Sequence, residues 1–151
     1  MAQMAAETVG LAYEHVRVVQ AQDTDVSPFD TGAYASRQAY VVSNAIFRAA
    51  TQLKKKILDH AGVMTGKKAR DLNIINGKIV DTRTNAFIMD MKPLAIDSFY
   101  HKERGHQLTA DVSHKTTTNA PVFGCTFVDI TVDIPLCKIK INKIINVHDS
   151  G

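Results

Sequence analysis

Residues 31–37 are the part of this chain best suited to hold a small ligand. Gly32, Ala33 and Ala35 have no side chain or a small one, so a bound group can approach the backbone closely. Ser36 supplies a hydroxyl, and the loop leads into a predicted helix whose first N–H groups lack helical partners and favour an anion. We interpret the stretch as a candidate cofactor cradle. The alternative is an ordinary helix start, with Ser36 as the N-cap and Gly32 as a turn residue.

Other chemistry has weaker support in the sequence. His101, His106 and His114 lie close together, but separations of five and eight residues match neither a helical metal-binding pair nor a compact zinc-finger spacing. Motifs for a serine nucleophile, a P-loop and a dinucleotide site are missing. The residues alone therefore support a folded domain with one candidate anion or cofactor loop.

The loop precedes the clearest helix of the sequence, predicted over residues 34–60. Its apolar face recurs at spacings of three and four residues: Val42, Ile46, Ala49, Leu53 and Ile57. Before the loop, the N-terminal residues predict the end of a helix capped by Gly10. The β-branched run at residues 16–19 predicts a strand, and residues 20–32 a loop.

Strand patterns dominate the rest of the chain. Asn76-Gly77 separates two apolar runs, which predicts a hairpin over residues 72–80. Residues 91–102 are expected to form a short helix. Alternating patterns at residues 128–133 and 137–142 predict two strands, over about residues 125–133 and 137–147, joined by a turn. We expect an α+β fold in which the long helix packs on a mixed or antiparallel sheet that includes this last pair.

Length and composition limit the classes of protein further. A chain of 151 residues fits one domain, predicted over residues 1–151. A net charge of +3 is too small to indicate a nucleic-acid groove, and no apolar run is long enough to span a membrane. Two cysteines exclude a disulfide scaffold and a four-thiolate metal site. The N-terminal residues do not resemble a secretory signal, so we expect a cytoplasmic protein.

Two stretches resemble the molybdenum-binding subunits of xanthine dehydrogenases, within the molybdenum hydroxylase family. The first covers residues 16–38 and contains the string DTDVSPFDTGAYASR. The second covers residues 123–151 and contains FGC, VDIPLCK and INVHDSG. The resemblance extends over the whole chain, but the family's subunits are several times longer. It therefore implies an internal fragment of the molybdopterin-binding region.

The resemblance also implies roles for particular residues. The positions that match the family's cofactor-contacting segment are Gly32, Ala33, Tyr34, Ala35, Ser36 and Arg37. Ala35 matches the small residue packed beside the molybdenum centre, whereas Arg37 matches a position at which family members differ. No catalytic residue is expected in this fragment, because the family's catalytic glutamate lies outside the matched stretch.

By the same resemblance, the parent protein hydroxylates purines such as hypoxanthine or xanthine, using a molybdenum–molybdopterin cofactor and an oxygen derived from water. Iron–sulfur clusters and FAD are expected on other domains or subunits, and the fragment alone is expected to be inactive.

Two alternatives remain. One is a non-catalytic truncated module that folds and self-associates without cofactor, forming a homo-oligomer through exposed apolar faces. The other is a free-standing domain that binds a small anion at the helix start near Ser36.

Overall fold

The N-terminal helix α1 spans Ala2–Val9 in the computed structural model, which describes residues 1–19, 23, 25, 29–118 and 121–149. As predicted, Gly10 ends the helix, with a φ of +98° and an N–H that donates to the Ala6 carbonyl at 2.8 Å. The Gly10 carbonyl accepts a hydrogen bond from the Gly77 N–H at 2.9 Å. A side chain at residue 10 would overlap the Ile74 carbonyl, so the positive φ and the close approach both require glycine.

The strand predicted at residues 16–19 is wrong. A single 3₁₀ turn, Tyr13–His15, precedes the run, and Val16 has an extended backbone. Among the described residues, however, no strand pairs with it. β-branched residues favour an extended backbone, but a strand also needs the N–H and C=O groups of a neighbour. Most of the predicted loop at residues 20–32 lies outside the described residues, and residues 29 and 30 have no regular structure.

The predicted long helix is confirmed with shifted ends. A π-helical segment, Gln38–Val42, continues directly into helix α2, Ser43–Thr65. The helix continues past residue 60 because its apolar face does, with Ala61 fully buried, and it ends where Gly66 adopts a φ of +71°. None of the described helices, α2 included, combines the length and the apolar character needed to cross a membrane.

Three short strands form an antiparallel sheet in the order β1-β2-β3: Leu72–Ile75, Lys78–Asp81 and Phe87–Asp90. The predicted hairpin is confirmed, with φ values of +48° at Asn76 and +73° at Gly77. Helix α3, Met91–Tyr100, confirms the predicted short helix.

The α+β fold class is also confirmed, because α2 packs against β1 and α3. The core shared by these elements consists of small and aliphatic residues: Val9, Ala50, Ile57, Ala61, Leu72, Ile74, Ile79 and Leu94.

The chain divides into two units, Met1–Thr116 and Thr117–Gly151. In the second unit, β4 (Phe123–Asp133) and β5 (Lys138–Asp149) form the predicted antiparallel pair. This pair is a separate two-stranded sheet, so the prediction that it belongs to the sheet beneath the long helix is wrong. Alternation along a strand indicates which residues share a face, but not which sheet the strand joins. The single domain expected over residues 1–151 stays a prediction.

Candidate functional site

The predicted cradle contains a tight turn at residues 34–37. The Arg37 N–H donates to the Tyr34 carbonyl at 2.8 Å, and the central residues Ala35 and Ser36 have φ values of +47° and +59°. Positive φ at both central positions is typical of a type I′ turn, in which Gly and Asn are preferred. Other residues cost roughly 1–2 kcal/mol each in this conformation. Strain of this kind is common where a backbone is shaped to bind something.

Asp30 ties the two ends of the loop together. Its Oδ1 accepts the Gly32 N–H at 2.7 Å and the Arg37 Nε–H at 3.3 Å, while its Oδ2 lies 3.4 Å from Arg37 Nη2. The hydrogen bond from Arg37, followed by that from the Gly32 N–H, lowers the pKa of the Asp30 carboxyl. Sequence reasoning missed Asp30, although an Asp two residues before a glycine is a recognised sign of a side-chain turn.

Ser36 does not cap the helix with its side chain. The residue that precedes the π-helical segment is Arg37, and no side-chain bond caps that helix start. Instead, the Ser36 carbonyl accepts the N–H groups of Ala39 at 3.0 Å and Tyr40 at 2.8 Å. The expected side-chain cap at Ser36 is therefore wrong, whereas the wider alternative of an ordinary helix start stays open. The positive φ of Ser36 also explains why the helix begins at Gln38 and not at residue 34.

The loop presents a row of backbone hydrogen-bond donors. The N–H groups of residues 33–36 have no protein acceptor within the part of the chain that the structure describes. Residues 32–36 are exposed and Arg37 is half-buried. Gly32 has a φ of +90°, and a Cβ built on it would meet no atom within 4 Å. Successive N–H groups in such a turn can bind one anionic or acceptor-rich group.

A cavity of about 420 Å³ opens directly after this loop. Its walls come from α1, through Met4 and Glu7, and from the first helical residues after the loop, through Gln38, Ala39 and Ser43. The residues that line it include none of residues 32–37, so the row of donors is not part of the cavity wall.

The histidines do not form a metal site. Nδ1 of His101 accepts two N–H groups of the turn that follows it, at 3.3 Å each, and the His106 ring packs edge-on against buried His60 with centroids 5.1 Å apart. Among the described residues, no three His, Cys, Asp or Glu side chains are grouped to hold a metal ion.

A charged network, which sequence reasoning also missed, links α2, α3 and the segment after α3. Asp97 accepts two hydrogen bonds from Arg104, at 2.9 and 2.7 Å, and its Oδ1 lies 2.9 Å from Nε2 of buried His60. The hydrogen bonds from Arg104, with a smaller contribution from His60, lower the pKa of Asp97 to about 2. The His60 side chain is buried and that of Arg104 is partly exposed, and the network joins elements of the fold to one another, so we interpret it as structural.

Comparison with known proteins identifies the family of the chain. A family model described as a molybdopterin cofactor-binding domain matches residues 1–151. The chain is 59% identical over 150 residues to the xanthine dehydrogenase molybdenum-binding subunit of Escherichia coli O157:H7, covering 99% of this chain and 20% of that protein. It therefore spans about a fifth of the length of this relative.

Two solved structures share the fold. Quinoline 2-oxidoreductase from Pseudomonas putida 86 superposes with a TM-score of 0.79 at 23% identity, over 99% of this chain and 20% of that one. Reconstituted CO dehydrogenase from Oligotropha carboxidovorans superposes with a TM-score of 0.70 at 21% identity, over 97% of this chain and 18% of that one. Because the family model matches the whole length of the chain, the chain belongs to the molybdopterin cofactor-binding domain family.

Proposed function

We propose that residues 32–37 form part of the binding site for a molybdenum–molybdopterin cofactor in the parent protein. The observation that carries this proposal is the row of unpaired N–H groups at residues 33–36, on an exposed turn with positive φ. A pterin ring and its phosphate are rich in acceptor atoms, so these donors fit the cofactor chemically. The match to the cofactor-binding family supports the same assignment.

Each residue of the loop has a distinct proposed role. The N–H groups of Ala33, Tyr34 and Ser36 donate to the cofactor, and Gly32 keeps the approach to the backbone open. Ala35 lies beside the molybdenum, where its methyl group leaves room for the metal centre. Arg37 positions the turn through its ion pair with Asp30. When bound, the cofactor supplies the two-electron redox and oxygen-transfer chemistry.

We further propose that the parent protein is an oxidoreductase that hydroxylates a purine such as hypoxanthine or xanthine. The name of the relative from E. coli O157:H7 supports this substrate class. The proposed partners are the rest of the molybdenum subunit, an iron–sulfur subunit and a flavin subunit. The proposed location is the cytoplasm. In the isolated chain, large apolar residues that the rest of the subunit would cover are exposed, and we propose that the isolated chain self-associates through them.

The test compares cofactor binding in the full-length parent subunit and two variants of it. Ala35→Leu adds bulk inside the proposed site, and Ala86→Leu adds the same bulk at an exposed residue between β2 and β3. We expect molybdenum and pterin content, measured by metal analysis and pterin fluorescence, to fall at least about tenfold in Ala35→Leu and to stay unchanged in Ala86→Leu. Equal content in all three proteins would contradict the assignment of the loop. A wild type with neither molybdenum nor pterin would favour the non-catalytic module.

A further inference from the structure

Asp30 contacts the residue on each side of the row of donors in the candidate loop. The N–H groups of residues 33–36 form that row, and Gly32 and Arg37 are the residues that flank it. One oxygen of the Asp30 carboxylate, Oδ1, accepts the Gly32 N–H at 2.7 Å and the Arg37 Nε–H at 3.3 Å. A single side chain therefore links the two ends of the row.

The two contacts restrain the loop to different degrees. The Gly32 bond has the short length of a hydrogen bond to an ionised carboxylate, and it holds the backbone itself. The Arg37 contacts are long, at 3.3 and 3.4 Å, and they join a half-exposed carboxylate to a flexible side chain. Arg37 lowers the pKa of the Asp30 carboxyl more than Gly32 does. For the position of the backbone, however, the Gly32 bond is the stronger restraint.

Gly32 depends on such a restraint. A Cβ built on it would meet no atom within 4 Å, so packing does not limit its conformation. A glycine without neighbours can adopt many backbone conformations, and a hydrogen bond is needed to select one. The Thr31 hydroxyl donates to the Tyr34 hydroxyl at 3.3 Å, but this contact joins two side chains and holds no backbone group. The Asp30 carboxylate is therefore the group that holds the Gly32 peptide in place.

We propose that Asp30 is a positioning residue for the molybdopterin cofactor, an inference that rests on the proposed function of the loop. Its carboxylate orients the Gly32 peptide, so that the donors after it are arranged before the cofactor binds. Preorganised donors bind more tightly, because less conformational freedom is lost on binding. Asp30 acts through Gly32 and does not itself touch the cofactor. The pairing with Arg37 balances its charge beside an anionic group.

The experiment measures how fast the full-length parent subunit releases its cofactor during dialysis, by metal analysis and pterin fluorescence. Asp30→Ala removes both contacts of the carboxylate. Asp30→Glu keeps the charge, but its longer side chain does not fit the two-residue turn to the Gly32 N–H. Asp30→Asn loses the charge and keeps an oxygen that accepts this N–H. Asp133→Ala is the matched control, because Asp133 Oδ1 accepts the Leu136 N–H at 3.0 Å in the exposed turn between β4 and β5.

We expect cofactor release at least about fivefold faster in Asp30→Ala and Asp30→Glu, because both lose the bond to Gly32. Asp30→Asn should accelerate release by only about twofold, because it loses the ion pair alone. Asp133→Ala should leave the rate unchanged. Rescue by asparagine but not by glutamate is the signature of the Gly32 bond, since a role of the charge alone would give the opposite order. Circular dichroism of each variant checks that the subunit remains folded.

Unchanged or slower release in Asp30→Ala and Asp30→Glu would overturn the role of Asp30, whereas loss of cofactor in Ala35→Leu would leave the proposed function of the loop intact. Release as fast in Asp30→Asn as in Asp30→Ala would assign the effect to the charge and overturn the step through Gly32. Equal acceleration in Asp133→Ala would also overturn the proposal, because the effect would not be specific to the loop. A wild-type subunit without cofactor would overturn both this inference and the proposed function.

Discussion

Replacing Ala35 with glycine tests whether the loop is held in a strained turn. Ala35 has a φ of +47°, a conformation that glycine adopts without a steric penalty. The same replacement at an ordinary loop position destabilises a protein. We therefore expect Ala35→Gly to raise the free energy of unfolding, which is the opposite of the usual effect.

The magnitude follows from two opposing terms. Removing the steric penalty of the left-handed conformation raises the free energy of unfolding by roughly 1–2 kcal/mol. The greater freedom of glycine in the unfolded chain costs about 0.4–1 kcal/mol. Packing contributes little, because Ala35 is exposed. The net gain is about 0.5–1 kcal/mol, which for a chain of this length raises Tm by about 1–4 °C.

Urea unfolding at constant m-value, together with thermal unfolding, provides the measurement. The matched control is Ala33→Gly, because Ala33 is an exposed residue of the same loop without a positive φ. This variant is expected to lose about 0.4–1 kcal/mol of stability.

Two results would refute this reasoning. If Ala35→Gly destabilises the chain as much as Ala33→Gly does, residue 35 is not held at positive φ. If neither change alters stability, the loop is not coupled to cooperative unfolding. In either case the turn could not serve as a preorganised cradle.

Three further predictions concern the rest of the fold. Leu94→Ala, at a position with no solvent exposure, should lower the free energy of unfolding by about 2–5 kcal/mol, whereas Ile96→Ala, at a half-exposed position, should change it far less, as measured in urea. Gly10→Ala should lower the free energy of unfolding more than Gly66→Ala does. Both residues have a positive φ, but only a Cβ at residue 10 would overlap the Ile74 backbone. Equal losses of stability in thermal unfolding would count against that close approach. The pKa of Asp97 is about 2 in the fold against 3.8 in the unfolded chain. The ionised carboxylate therefore stabilises the fold above about pH 4, and this stabilisation is lost as the pH falls towards 2. Asp97→Asn should flatten the acid limb of the stability curve, and an unchanged acid limb would show that the ion pair does not form.

The sequence alone determined the elements whose signals are local. Asn76 and Gly77 predicted the turn between β1 and β2 because both residues tolerate positive φ. The spacing of apolar residues predicted α2, and alternation predicted β4 and β5. The string over residues 23–37 predicted the cofactor-binding family that the whole-chain match confirms.

The tertiary structure decided what depends on partners distant in sequence. Residues 16–19 have strand-forming side chains, yet the described fold offers them no neighbouring strand. Asp97 pairs with His60, far along the chain, and periodicity cannot predict such a contact.

The candidate loop also combines features that the sequence shows with a conformation that only the tertiary structure shows. Its small residues were visible in the sequence, but the positive φ of Ala35 and Ser36 was not. That conformation is unfavourable for each residue alone, and it occurs in a loop whose two ends are linked by the Asp30–Arg37 ion pair. Local propensity ranks what each residue prefers by itself, whereas the folded chain selects the conformation with the lowest total free energy.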